Sequence, residues 1–562
     1  MANRFAENPI INITRSRFNR DHTVKTTFNA GELIPIDTTE VLPGDTIKLK
    51  THAVIRMSTP IKPVMDNCYA DIYHFFVPNR IVWDNWEEFQ GANKSGPWKD
   101  TKEWTIPQTT APAGGWKKGT IADYIGIPTK KENIKVNAMY YRGYCQIWND
   151  WFRDENLQNF TYIDKSEANN NGTNGNNYVT DAIGGGMPLP VAKPHDYFTS
   201  ALPEPQKGPD VTIPLGQNAP VVGNGNAIGI ITDQFDMLGG MGLGYTEVKR
   251  SDTATASGIV IKSDVAGTKA SEKGGTIADW GHLANGRVGL STNASRSGVI
   301  ADLSGATAST INQLRQAFQL QKMFEKDARG GTRYVEILKN HFGVTSSDAR
   351  LQRAEYLGGE RVPITISQVL QTSATNEQSP QGNTAAYSLT INHNTSFTKS
   401  FEEHGIIFTL VCVRTKHSYQ QGLNKKFSRK YRTDYYMPVF ANLGEQPILN
   451  KEIYAQGTSE DDEVFGYQEA WAEYRYKPDI VTGEFRSNVA ENGGLDIWHY
   501  ADYYTSLPTL GADFIKETKV NIDRTLAVQS NVTDQFQADF YFEETDTRPM
   551  PVYSIPGLID HH

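Results

Sequence analysis

The chain has 562 residues, with 48 Gly, 27 Pro, 26 Tyr and 10 Trp, and a formal net charge of -9 from 55 Lys and Arg against 64 Asp and Glu. That balance excludes a surface that binds duplex nucleic acid everywhere and leaves room for local basic patches. Cys68, Cys145 and Cys412 lie far apart in apolar or aromatic contexts, which excludes a disulfide framework or a CxxC metal site and predicts buried thiols in a reducing compartment.

The first segment, Met1 to Lys25, carries Arg4, Arg15, Arg17, Arg20 and Lys25 among few apolar residues, and is expected to be a mobile or partner-ordered basic arm. It contains no apolar signal region, and the longest apolar run, Gly405 to Val413, is too short to span a bilayer, so no membrane insertion is expected. From Thr46 to Met57 the side chains of Ile47, Leu49, Ala53, Ile55 and Met57 share one face, with Lys48, Lys50, His52 and Arg56 on the other. This period of two predicts a half-buried strand. Cys68 to Val77 is apolar on both faces and predicts a strand between two layers or beneath a neighbouring subunit.

A connection rich in Trp, Gly and Pro follows Trp83. Asn137 to Asn156 then places Met139, Tyr140, Tyr144, Ile147, Trp148 and Trp151 at helical spacing, which predicts a core helix. From about Thr199 to Thr307 the composition turns to Gly, Ala, Ser, Thr and Asn, with Trp280 the only aromatic between Tyr245 and Phe318. That stretch is expected to be an insertion, either disordered or a small β-rich outgrowth. Thr310 is placed as the cap of a helix with Ile311, Leu314, Phe318 and Phe324 on one face, broken at Gly330 and Gly331, with a second helix from Thr332. Gly405 to Val413 again reads as a doubly buried strand, and Phe536, Ala538, Phe540 and Phe542 alternate with Gln535, Gln537, Asp539 and Glu543.

Strands at both ends of the chain must therefore meet, with helices confined to the connections. The expected fold is mainly β: a jelly-roll sandwich with long helix-containing loop insertions. The expected division is 1–25 as arm, 26–198 as the first part of the jelly roll, 199–307 as the insertion and 308–562 as the remainder.

Catalytic and cofactor motifs are missing from the sequence: there is no GxSxG, HExxH, GxxxxGK[ST] or EF-hand pattern, so neither an enzyme nor a bound metal or cofactor is expected. Gly223 to Gly229 has the wrong spacing for a dinucleotide loop, and Glu460 to Glu463 reads as a solvated acidic loop. The one constellation with chemistry is KKFSRKYRTDYY, Lys425 to Tyr436, where Lys425, Lys426, Arg429, Lys430 and Arg432 interleave with Phe427, Tyr431, Tyr435 and Tyr436. Cations neutralise phosphates and aromatic faces stack unpaired bases, so this pattern suits single-stranded nucleic acid; it equally suits a subunit interface.

Several longer segments resemble the major capsid proteins of the gokushoviruses, small single-stranded DNA phages of the Microviridae. They are FNAGELIPIDTTEVLPGDT, PIKPVMDNCYADIYHFFVPNRIVWDNWEEF, RGGTRYVEILKNHFGV (Arg329 to Val344), RLQRAEYLGG (Arg350 to Gly359), HGIIFTLVCVRT, VFGYQEAWAEYRYKPDIVTGEFRS (Val464 to Ser487), IDRTLAV and SIPGLID. The resemblance implies a single eight-stranded viral jelly roll that self-assembles into a T=1-type icosahedral shell around circular single-stranded DNA. It further implies that the insertion forms a three-fold protrusion used in host attachment to a bacterial surface receptor. A small basic DNA-binding protein and pilot or scaffolding proteins are implied partners, and the virion, assembled in the host cytoplasm, is the implied location. The DNA-facing candidates are Arg4, Arg15, Arg17, Arg20, Lys425, Lys426, Arg429, Lys430 and Arg432, with Phe427 and Tyr431 as stacking candidates. Ala354 departs from the family pattern, where a proline is expected. The competing expectation is a jelly-roll protein that binds carbohydrate or acts on glycosides, which shares the fold, the aromatics and the acidic balance.

Overall fold

The computed structural model describes residues 14–92, 103–211, 311–372, 381–487 and 494–553, with six short strands between 221 and 301. It divides into two compact units, residues 1–207 with 324–562, and residues 208–323.

Nine strands of the first unit build two antiparallel sheets: β1 (Ser16–Asn19), β2 (His22–Phe28), β3 (Ile34–Val41), β4 (Thr46–Met57), β5 (Cys68–Pro78), β6 (Glu355–Pro363), β7 (Thr390–Ser400), β8 (Gly405–Thr415) and β9 (Phe536–Arg548). In one sheet β9 pairs with β1 and β2 along one edge and with β4 along the other, and β4 pairs with β7. The second sheet has the order β6-β5-β8-β3. Alternation decides what each strand contributes. Ile47, Leu49, Ala53, Ile55 and Met57 of β4 and Phe536, Phe540 and Phe542 of β9 meet Ile72, Phe76, Ile407 and Val411 of the other sheet in one core.

The opposite faces of β5 and β8 feed a second core, which explains why these two strands are apolar on both sides. Phe75, Val77, Ile406, Phe408, Leu410 and Cys412 pack against Trp83, Trp116 and the helix α1 (Met139–Ile147), which presents Met139, Tyr144 and Ile147. The helix runs on into a π-turn, Trp148–Phe152. It lies close to the sheet because Gly143 has no side chain: a Cβ there would stand 2.8 Å from the Phe408 ring. The Tyr144 hydroxyl donates to the Leu33 carbonyl at 2.6 Å, so the polar atom of this buried ring is satisfied. A third, smaller core gathers Tyr197, Phe198, Ile448, Ile453, Phe465, Phe514 and Ile515 around the hairpin of Glu445–Leu449 and Val464–Glu469.

The expected strands at Thr46 to Met57, Cys68 to Val77 and Gly405 to Val413 are present, and the three cysteines are buried and free. The N-terminal reading needs correction. The stretch expected to be a mobile or partner-ordered arm holds β1 and most of β2, and its Arg20 and Lys25 meet acidic residues of β9. Residues 1–13, Arg4 included, lie outside the described residues. The helices restart as α2 (Ile311–Gly330) and α3 (Tyr334–Phe342), but the second begins at Tyr334 behind the cap Arg333, not at Thr332. Thr332 instead donates its backbone N–H to Glu155 at 2.9 Å. Ile311 and Phe318, expected on a packed face, are exposed in the single chain.

In the unit of residues 208–323, four strands form an antiparallel sheet in the order Ile259–Ser263, Thr246–Arg250, Gly229–Thr232 and Val288–Leu290. The Gly223 to Gly229 segment and the expected cap Thr310 fall largely or wholly outside the described residues.

Candidate nucleic-acid interface and buried ion clusters

Lys425 to Tyr436 forms no strand; it is a chain of short turns held by its own polar side chains. Asn424 accepts the N–H of Lys426 at 3.1 Å and caps the turn Lys425–Phe427. Asp434 accepts the N–H groups of Lys430 and Tyr431 at 2.7 and 2.8 Å, and these bonds hold its carboxyl below the usual range. Such turns push alternate side chains outward, which leaves Phe427 and Tyr431 70% and 71% exposed.

The five cations of this segment divide. Arg429 is enclosed between the rings of Tyr435 and Tyr474 and pairs with Glu473 at 3.3 Å. Lys425 donates to the Pro447 carbonyl at 3.3 Å and faces Glu452 at 3.8 Å. Lys426 lies 4.8 Å over the Phe427 ring. Among the described residues, Lys430 and Arg432 find no side-chain hydrogen bond or ion pair, and both are exposed. Thus Lys426, Lys430, Arg432, Phe427 and Tyr431 form the accessible part of the pattern, while Lys425 and Arg429 already have partners in the chain.

Of the N-terminal candidates, Arg15 and Arg17 are exposed. Arg20 is not free for phosphate: its guanidinium reaches Glu544 at 3.0 Å and Asp546 at 2.7 Å, two carboxylates of β9 with no solvent exposure. Sequence separation hid this pairing, since the partners stand 526 positions apart. The same cluster holds His22, which faces Asp37 at 3.2 Å and Glu544 at 3.7 Å and stacks on Phe542. Its imidazole is pushed up to about 9 by the hydrogen bond to Asp37, against the opposing effect of burial. Burial, with Asp546 alongside, raises Glu544 to about 7. Arg548 closes the far end, 3.1 Å from Asp45 and 3.3 Å from Asp546.

A second ion cluster lies at the end of β8. His417 sits between Asp502 at 2.6 Å and Glu517 at 2.8 Å, with Lys193 3.6 Å from Asp502. Burial opposes the imidazolium, but the two carboxylates overcome it and raise His417 to about 9. Burial likewise opposes ionised Asp502, and His417 and Lys193 hold it well below the usual carboxylate range. Asn521 and Thr415 donate to the carboxylates at 3.0 Å each, so the network is closed by hydrogen bonds.

A surface cleft of about 590 Å³ contains Asp196, Lys416, Glu469, Arg475 and Asp479. Its carboxylates are engaged: Asp479 by Lys416 at 2.6 Å, Glu469 by Arg475 at 2.5 Å and Asp196 by the Tyr419 hydroxyl at 2.8 Å. The acidic run at Glu460 to Glu463 is a turn in which Asp461 accepts the N–H groups of Gln456 and Gly457 at 2.9 and 2.7 Å. No helix among the described residues is long and apolar enough to cross a membrane.

Comparison with known proteins places these features. The family described as "Capsid protein (F protein)" matches residues 6–558. The chain is 44% identical over 558 residues to Capsid protein VP1 of Bdellovibrio phage phiMH2K, covering 98% of this chain and 97% of the relative. It is 43% identical to Capsid protein VP1 of Spiroplasma virus 4 (97% and 96% covered) and 41% identical to that of Chlamydia phage 1 (99% and 98% covered).

Proposed function

The chain belongs to the phage capsid protein (F protein) family, and from that membership we propose that it builds a T=1-type icosahedral shell around a circular single-stranded DNA genome. It is a structural capsid protein, and the resemblance to gokushovirus capsids read from its motifs is borne out. The observation that carries this is 41–44% identity to capsid proteins over 97–99% of the chain. The relatives are named for a structural role, so no catalytic step is assigned, and the carbohydrate-active alternative is set aside.

Two features support the finer reading. β1 and β2 are separated by Arg20 and Asp21 and both pair with β9, so they count as one interrupted strand. Each sheet then has four strands, and the sandwich is a single eight-stranded jelly roll. The single chain also exposes large apolar side chains that a closed shell of identical copies would cover, including Val439 at 87%, Phe342 at 72% and Tyr334 at 66%. The insertion of about Thr199 to Thr307 is assigned to host attachment at a bacterial surface receptor. Pilot or scaffolding proteins and a small basic DNA-binding protein complete the partners.

Lys426, Lys430, Arg432, Arg15 and Arg17 are the phosphate contacts in this reading, with Phe427 and Tyr431 stacking on unpaired bases. The test is binding of a single-stranded oligonucleotide at several salt concentrations, alongside electron microscopy and genome content of particles. Replacing Lys426, Lys430 and Arg432 with Ser is expected to reduce the salt slope of log affinity by about 2, at ~0.7 for each phosphate no longer neutralised. Unchanged slope and unchanged genome content would remove this segment from the DNA interface; a chain that never forms particles with its genome and companions present would remove the shell.

A further inference from the structure

We propose that His22, Asp37 and Glu544 bind one divalent cation of the Zn²⁺ class and that this ion stitches the two sheets together beside the N-terminal strands. The ligands come from β2, β3 and β9, so two stand on one sheet and one on the other. Each offers one ligand atom, and the three atoms lie within 4.8 Å of one another. Rotation of side chains would bring them to the closer spacing of a Zn²⁺ shell, whose bonds to nitrogen and oxygen are about 2.0–2.2 Å long.

The buried oxygens point to a ligand independently of that proximity. Glu544 is fully buried and offers Oε1 to Arg20, while its Oε2 has no hydrogen-bond partner. Asp546, also fully buried, leaves Oδ1 without one. Buried carboxylate oxygens seldom go unmatched, because each has given up its water. Charge gives the valence. Four carboxylates, Asp37, Asp45, Glu544 and Asp546, face Arg20, Arg548 and the imidazole of His22. With Glu544 ionised, a protonated imidazole brings the positive charge to three, one short. A divalent ion on neutral imidazole brings it to four.

The chemistry of the set selects the ion. One imidazole with two carboxylates suits Zn²⁺ or Mn²⁺, whereas Ca²⁺ takes six to eight oxygen ligands. The His22 Nδ1 lies 2.9 Å from the Arg20 carbonyl, and the other ring nitrogen faces Asp37. A backbone carbonyl on one ring nitrogen fixes the tautomer and turns the other toward a metal.

The experiment is calorimetric titration of Zn²⁺, Mn²⁺ and Ca²⁺ into the EDTA-treated full chain. His561→Ala and His562→Ala form the background, so that the paired histidines at the C-terminus contribute nothing. One Zn²⁺ per chain is expected, with Mn²⁺ weaker and Ca²⁺ absent from the site. Asp37→Asn and His22→Gln should each lower the affinity at least tenfold while circular dichroism and cooperative unfolding in EDTA are retained. If one of these variants does not fold, the other carries the test. No stoichiometric Zn²⁺ binding, a preference for Ca²⁺, or affinity unchanged in a folded variant would overturn the proposal.

Discussion

The clusters around His417 and Glu544 use the same materials, an imidazole between carboxylates with a longer cation nearby, and end in different states. At His417 both ring nitrogens meet carboxylates, and Asn521, Thr415 and Lys193 serve the remaining oxygens. At Glu544 the carboxylates outnumber the cations, and oxygens of Glu544, Asp546 and Asp45 stay without hydrogen-bond partners. The difference follows from position. The His417 cluster draws its polar groups from the end of β8, from a short helix that carries Asn521 and from the loops between. The Glu544 cluster sits between strands, whose backbone donors are already committed to the ladders of β9. Burial alone does not decide whether a charge is settled; the availability of local donors does.

Breaking the closed cluster should have the largest effect. His417→Leu leaves Asp502 and Glu517 buried without their shared counter-charge and is expected to destabilise the chain by about 3–5 kcal/mol in denaturant unfolding. The pH profile sharpens this. The folded pKa of His417 is raised from 6.5 to about 9, so its stabilisation is complete below 6.5 and lost as pH rises through about 9. Wild-type stability should fall across that window, and the variant should lose that part of the fall. A variant with wild-type stability, or an unchanged slope, would mean that the network is incidental.

Arg20→Met opens the other cluster further, with a smaller expected loss of about 1–2 kcal/mol, discounted because water reaches the guanidinium. Glu544 has a folded pKa raised from 4.5 to about 7, so its contribution is favourable below 4.5 and lost as pH rises through about 7. Arg20 matters most where Glu544 is ionised. The loss measured at pH 8 should therefore exceed that at pH 5, and the reverse order would contradict the assignment.

A half-buried carboxylate outside both clusters extends the comparison to neutral donors. Asp150, raised by burial, accepts from Gln146 at 2.9 and 3.0 Å and from the backbone N–H of Ala354 at 2.9 Å. Ala354→Pro removes that N–H and is expected to cost about 1 kcal/mol in the same unfolding assay. Proline was the residue expected from the family pattern, and the structure supplies a use for its absence here. No loss of stability in the variant would show that Gln146 suffices.

Much of the sandwich was legible because apolar alternation is a local signal: β4 and the two doubly buried strands β5 and β8 could be placed from their own side chains. The N-terminal strands were not. Arg20 and Lys25 look like part of a solvated arm until β9 supplies Glu544, Asp546 and Asp539 across the sheet. The same limit applied to the candidate cations. The basic and aromatic composition of Lys425 to Tyr436 was plain, but the engagement of Arg429 by Glu473 and of Lys425 by Glu452 depends on residues that only the fold brings near. The ligand set of His22, Asp37 and Glu544 had no spacing motif to find.

The central place of β9 has a consequence for synthesis. Its partners β1, β2 and β4 leave the ribosome early, yet the strand that joins them begins at Phe536. Until then one edge of β4 lacks its neighbour, and loop closure across most of the chain must precede the gain from pairing. A nascent or prematurely terminated chain therefore presents open strand edges instead of a finished sheet. Completion of translation becomes a quality check: only a chain read through to its last long strand can close the sheet and take a place among its copies.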